Sequence, residues 1–362
     1  EMGLKANGNV VIAGTAVQNL DVNANLNNVP ANIANSFVPG LAAEGTISGT
    51  AKASGTPTAP AVDFDLDWKD AATSQTKQAK LAPFGLSATG KLADNKLDFD
   101  ADLTGAANTG LSADGSIVIA GTAVQSLDVN ANLNNVPASI ANSFVPGLAA
   151  EGTISGTAKA SGTPTAPAVD FDLDWKDAAT SQTKQAKLAP FGLSATGKLA
   201  DNKLDFDADL TGAANTGLSA DGNIVIAGTA VQSLDVNANL NNVPASIANS
   251  FVPVLAAEGT ISGTAKASGT LAAPAVDFDL DWKDAATSQT KGAGLKALGL
   301  SATGKFADNK LDFDTNLSGP AEMGLKANGN VVIAGTAVQN LDVNANLNNV
   351  PANIANSFVP GL

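Results

Sequence analysis

Leu127-Asp128-Val129-Asn130-Ala131-Asn132-Leu133-Asn134 alternates apolar and polar residues at every step. Side chains of a strand point to opposite faces in turn, so Leu127, Val129, Ala131 and Leu133 share one face and the Asp and Asn residues share the other. Val169-Asp170-Phe171-Asp172-Leu173-Asp174-Trp175 repeats the pattern with two large aromatics on its apolar side. Leu204, Phe206, Ala208 and Leu210 alternate with Asp205, Asp207 and Asp209, and Ala200-Asp201-Asn202-Lys203 is a turn that joins this strand to residues 192–199 as a hairpin. Ile154, Gly156, Ala158 and Ala160 oppose Thr153, Ser155, Thr157 and Lys159. Residues 111–119 and 180–187 bring the expectation to about seven strands per unit.

The unit is set by repetition. Trp68, Trp175 and Trp282 mark a period of 107 residues, and Val11-Ile12-Ala13-Gly14 returns at Val118, Val225 and Val332. The expected units are 8–114, 115–221, 222–328 and a partial fourth at 329–362, with residues 1–7 closing a preceding one. A longer period overlies these, because Glu1 to Leu41 is identical to Glu322 to Leu362. The chain therefore reads as a window on a longer periodic polypeptide.

One stretch per unit breaks the alternation. Residues 136–147 carry Pro137 near their start, Pro146-Gly147 at their end, and apolar residues at Pro137, Ile140, Ala141 and Phe144. That spacing predicts one short amphipathic helix, with Ile140 and Phe144 packed over an end of the sheet.

Composition restricts the chemistry. The chain is 44% hydrophobic, enough to bury surface, so it falls outside the disordered class. It has no His and no Cys, which leaves carboxylates, Lys and hydroxyls as reactive groups. A non-enzymatic role without cofactor or metal is expected. All 20 basic residues are Lys and the net charge is −14, a balance that disfavours nucleic acid and anionic lipid headgroups. No run of about 18 apolar residues occurs, so no helical membrane span is expected.

Strands with one apolar and one polar face, repeated over hundreds of residues, imply a long antiparallel sheet that hides one side. Two all-β architectures fit: an elongated trough or solenoid of 107-residue repeats with one short helix each, or tandem β-sandwich beads. The beads would suit a bacterial surface adhesin or extracellular fibre, with residues 161–167 as linker.

The run Val136 to Thr157, followed by Ser161-Gly162-Thr163-Pro164-Thr165-Ala166-Pro167-Ala168-Val169, resembles the periplasmic β-rich repeats of the TamB family of translocation and assembly module proteins, within the AsmA-like, bridge-like lipid transfer group. Gly192-Leu193-Ser194-Ala195-Thr196-Gly197 with Asn202 to Asp207 shares the likeness, and the match recurs in every unit. The resemblance implies a β-trough with an apolar interior in the periplasm of a two-membrane bacterium. It would carry phospholipid acyl chains between inner and outer membranes, with membrane proteins outside this window as partners and a possible share in outer-membrane assembly.

A conduit of this kind has a physical reason. A 16-carbon acyl chain crossing water is penalised by about 12 kcal/mol at ~0.8 kcal/mol per CH2, and an apolar trough removes most of that cost. At about 4.8 Å per strand, seven strands would advance roughly 34 Å per unit. The expected lining is Leu127, Val129, Leu133, Ile154, Val169, Phe171, Leu173, Trp175, Leu193, Leu204, Phe206 and Leu210. Trp175 and its copies fit a core or rim position that ends a strand better than a recognition site. Asp170, Asp172 and Asp174 invite a calcium reading, but side chains two apart on a strand lie ~7 Å from each other, too far for one ion, so a solvated face is expected. Lys159, Lys184, Lys187, Lys198 and Lys203 are expected among Asp and Thr on that outer face.

Overall fold

The computed structural model describes residues 2–36, 40–79, 81–121, 123–143, 147–228, 230–250, 253–334 and 337–351. The chain is all-β, with twenty antiparallel strands among the described residues. Its contacts divide it into two units, Glu1–Ala178 with Lys198–Asp201, and Ala179–Gly197 with Asn202–Leu362. Strands β1 (Gly3–Ala13), β2 (Ala16–Pro30), β3 (Glu44–Thr56), β4 (Ala59–Ala72), β5 (Phe84–Ala93), β6 (Lys96–Thr104), β7 (Gly110–Ala120), β8 (Ala123–Pro137), β9 (Glu151–Thr163) and β10 (Ala166–Ala179) build the first. The second holds most of β11 (Phe191–Ala200), whose last three residues fall in the first, with β12 (Lys203–Thr211), β13 (Gly217–Ala227), β14 (Ala230–Pro244), β15 (Glu258–Thr270), β16 (Ala273–Ala286), β17 (Leu298–Ala307), β18 (Lys310–Ser318), β19 (Gly324–Ala334) and β20 (Ala337–Asn348). Within each unit a strand pairs with the next one in the chain, as β2 does with β3 and β14 with β15.

Local chemistry sets this order. Asp94 and Asn95 take positive φ of 49° and 63° between Ala93 and Lys96, which face each other, so β5 turns into β6 through two residues. Both positive angles suit the twist of antiparallel strands, and Asp and Asn tolerate them well. Asp201 and Asn202, the expected turn, have the same conformation (φ 50° and 62°). Bulges interrupt the ladder between Leu26 and Val29 and between Trp68 and Ala71, where Asn28 and Asp70 have positive φ. The freed Asn28 amide donates to Ser48 Oγ at 2.9 Å, and Asn135 and Asn242 do likewise with Ser155 and Ser262.

Two expectations about the helical parts need correction. Residues 180–187 form no strand: Thr180 caps the α-helix α2, Ser181–Gln185, and its own amide donates to Thr183 Oγ1 at 2.8 Å. The same capping box opens α1 (Ser74–Gln78) and α3 (Ser288–Gly292). The reason is local, since Thr at the third helical position closes the box that Glu or Gln usually closes, while the paired Thr residues read as β-formers. Six strands rather than seven therefore separate the start of β1 from the start of β7.

The predicted amphipathic helix is also shorter and differently seated. β8 runs on through Val136 and Pro137, and a 3-10 helix follows at Ala138–Ser143. Its anchor is Ala138, fully buried, whereas Ile140 remains 37% exposed. Phe144 lies outside the described residues. Asn142 accepts from the Ala150 amide at 2.7 Å, and Asn35 and Asn249 do the same with Ala43 and Ala257. Helix α1 packs against Ala138–Ser143 of the next repeat, and Ser139 Oγ donates to Ala79 O at 3.3 Å.

Burial is concentrated at these capped strand ends. Val29, Ala31, Ala43, Ala71, Ala72 and Ala79 are buried in the first repeat, and Leu298, Ala285 and Met323 form a small core in the third. No large side chain among the described residues is fully buried. Tandem sandwiches would interdigitate two inner faces into a dry core about 10 Å thick, and the described residues build none.

An apolar face opposite a charged face

All twelve residues expected to line a groove lie on one face of their strands, and all twelve are half-buried. In the first unit Leu127 stands between Ile117 and Gly162, Val129 between Gly115 and Ala160, and Leu133 between Leu111 and Gly156. Ile154 faces Val136. Val169, Phe171, Leu173 and Trp175 alternate along β10 with exposed Asp170, Asp172 and Asp174. In the second unit Leu193 sits on β11, while Leu204, Phe206 and Leu210 on β12 face Ile224, Gly222 and Leu218.

Directly opposed residues of an antiparallel pair project to the same side, so the registers define rows across the ladder. One apolar row runs Ala6, Ala24, Ala51, Phe64, Gly90, Phe99, Gly115, Val129 and Ala160. A parallel row runs Val22, Ala53, Val62, Leu92, Leu97, Ile117, Leu127 and Gly162. Neither contains a charged residue. In the first row Ala24 of β2 is followed on β8, one repeat later, by Val129, the counterpart of Val22, so the rows slant by two residues over one repeat.

Glycine between aromatics has a steric role. A Cβ on Gly90 would lie 2.5 Å from Phe64 Cζ and 2.9 Å from Asp98 O, because the Phe64 ring covers the glycine notch. Phe278 covers Gly304 in the same way. Such covering returns the apolar contact that a strand glycine lacks. The tryptophans end the apolar face, with the Nε1 groups of Trp68, Trp175 and Trp282 donating to Glu44 O, Glu151 O and Glu258 O at 2.8 Å. Trp68 also meets the Phe84 ring at 6.3 Å between centroids.

The opposite face is a charged field whose order was not read from the sequence. Lys52, Asp63, Lys91 and Asp98 follow one another across β3 to β6, alternating in sign. Asp100 faces Asp114, and Asp207 faces Asp221, whereas in the third repeat Asp314 faces Asn328. Asn130 eases the first of these like-charge pairs by donating to Asp114 Oδ2 at 3.1 Å. Of the lysines expected here, Lys159 pairs with Asp128 at 3.5 Å, Lys198 with Asp170 at 3.7 Å and Lys203 with Asp205 at 2.7 Å, all well exposed. Among the described residues no group of three or more carboxylates is placed to hold a metal ion.

Space is distributed differently from the expectation of one apolar groove. A hollow of about 1330 Å3 in the first unit is lined mainly from the charged face, by residues such as Lys52, Asp63, Asp65, Lys91, Asp98 and Asp100. Phe64 and Phe99, the counterparts of Phe171 and Phe206, also reach it. A second hollow of about 500 Å3 on the same face of the other unit includes Asp221, Lys266 and Asp279. The apolar hollow is smaller, about 140 Å3, beneath the strand-end cap, where Leu188, Phe191, Leu210, Leu218, Val243 and Ile247 meet. Of the expected lining, only Leu210 enters it. Cross-strand register decides these neighbourhoods, and no single strand carries that information. The glycines paired with Phe64 and Phe278 were the one legible sign.

No helix among the described residues is long and apolar enough to cross a membrane. In comparisons with known proteins, no family model, curated protein or solved structure matches this chain.

Proposed function

We propose that the chain is a non-enzymatic carrier whose apolar face holds phospholipid acyl chains while its charged face stays in water. The observation that supports this most directly is the continuity of the apolar rows from Ala24 to Ala160 and from Val22 to Gly162, half-buried and free of charge. An acyl chain lying along such rows is shielded at about 25 cal/mol per Å2 of apolar surface, and no reactive side chain is needed. Six strands per repeat would advance the path by about 29 Å at ~4.8 Å per strand. The likeness to TamB-family repeats supplies the setting, the periplasm between two membranes, with membrane partners beyond these residues. The capped strand ends, with α1 seated on Ala138–Ser143, give the path a fixed rim.

The test is a photocrosslinker placed at Leu173, on the apolar face, or at Asp172, on the charged face, with the protein mixed with phosphatidylethanolamine vesicles. Labelling of lipid from position 173 but not 172 is expected. Equal labelling from both positions, or none from 173, refutes the proposal.

A further inference from the structure

We infer that the apolar hollow beneath the strand-end cap of the second repeat seats the methyl end of an unbranched phospholipid acyl chain, a choice of ligand that rests on the acyl-carrier reading of the apolar face. Leu188, Phe191, Leu210, Leu218, Val243 and Ile247 surround about 140 Å3 there, and no ionisable group among the described residues lines it. An apolar cavity of roughly 150 Å3 stays dry and takes up benzene, so this space has room for about the last five or six carbons of a tail. Leu210 and Leu218, opposed across β12 and β13, belong both to the hollow and to the apolar face, and Ile247 at the lip is 40% exposed. A chain lying on that face therefore has a way in.

The third repeat shows what fits. Thr216, which lines the hollow, corresponds to Met323 one repeat later, and Phe191 corresponds to Leu298. Met323 and Leu298 are each 4% exposed and form a core with Ala285, against which Leu295, Leu317 and Val350 pack. Those last three are the counterparts of Leu188, Leu210 and Val243, three walls of the hollow. Met323 also reaches Gly319, the counterpart of the lining Gly212, since a Cβ on Gly319 would lie 2.4 Å from Met323 Cε. The straight, flexible thioether chain of Met323 thus takes the place that stands open in the second repeat, and an alkyl tail matches it in shape and polarity.

Threonine leaves that place free. The Thr216 hydroxyl donates to Asn242 O at 3.1 Å, which satisfies its polar atom and leaves only a methyl group for the hollow. Thr109 makes the same bond to Asn135 O in the first repeat. Along the chain the position reads Met2, Thr109, Thr216 and Met323, so methionine returns after three repeats and the two between keep threonine.

The experiment mixes the 362-residue chain with phosphatidylethanolamine vesicles whose acyl chain carries a diazirine at its methyl end or, in a parallel sample, beside its ester. Mass spectrometry locates the marked segments, with Asn223 against Ser116 telling the second repeat from the first. The tail-end probe should mark residues 210–218 and leave residues 317–325 unmarked, and the ester-end probe should mark neither. Phe191→Leu with Thr216→Met, the pair that the third repeat already carries, should cut marking of the second repeat about tenfold while the first keeps its own, because each methylene displaced from an apolar site is worth about fourfold in occupancy. Marking that survives the double substitution, equal marking by the two probes, or equal marking of residues 317–325 overturns the inference. Absence of tail-end marking at residues 210–218 while a crosslinker at Leu173 still captures lipid also overturns it and leaves the carrier reading standing. Tail-end marking without capture at Leu173 supports the seat and refutes the carrier.

Discussion

Gly90→Ala, alone and combined with Phe64→Ala, probes the contact that makes the apolar row continuous. The added Cβ would approach Phe64 Cζ to 2.5 Å, Phe64 Cε1 to 2.8 Å and Asp98 O to 2.9 Å, all below any ordinary carbon contact. Overpacking of this kind costs about 1–3 kcal/mol, from which the better strand propensity of Ala recovers roughly 0.5–1 kcal/mol. Phe64→Ala deletes a ring that is only half-buried, so its cost should fall below the ~3–5 kcal/mol of a fully buried Phe, at about 2 kcal/mol. In the double variant the ring no longer meets the new methyl group, while the Asp98 carbonyl still does. The two changes together should then cost about 1 kcal/mol less than their sum. Exchange of the β5 and β6 amides, read by mass spectrometry, is the suitable assay, because a repeat ladder unfolds locally rather than all at once. Additivity within about 0.4 kcal/mol would mean that the ring does not cover the glycine, and the account of the row would fail.

Two further predictions concern the caps and the charged face. Thr73→Ala removes the Thr73 Oγ1 that accepts from the Thr76 amide, leaving the Thr73 amide bonded to Thr76 Oγ1, and should destabilise the α1 turn by about 1 kcal/mol, seen as faster exchange or proteolysis near Ser74–Gln78, with β3 and β4 unchanged. Asp100→Asn takes away the like charge opposite Asp114 and should slow local exchange in β6 and β7, by at most about 0.5 kcal/mol, at low ionic strength. The gain should vanish in 1 M salt, where screening already suppresses the repulsion; a salt-independent gain would point to packing instead.

Much of the architecture was legible in single strands. The alternation of Leu127 to Asn134 and of Val169 to Trp175 placed every apolar side chain on one face, and the turn at Asp201-Asn202 took the expected conformation. Trp175 takes the last step of the alternation, its indole N–H bound to Glu151 O, but it does not end its strand, because β10 runs on to Ala179. Errors arose where elements were too short to carry a period. Helix α2 has five residues, and its Thr-based capping box overrides a β-forming composition. Likewise Ala138 anchors its segment and Ile140 does not, since the bulge after Leu133 sets which residue turns toward the sheet.

The sequence by itself determined the two-faced strands and their repetition, because side-chain direction in an extended chain follows from backbone geometry alone. It also limited the chemistry, since a chain with no His or Cys is left with carboxylates, lysines and hydroxyls. Only the tertiary structure decided which strand lies beside which and in what register. That pairing put Phe64 over Gly90, set Asp100 against Asp114, and opened the larger hollows on the charged face rather than the apolar one. Pairing is a contact between residues distant in the chain, so its consequences become readable only after the strands have been laid side by side.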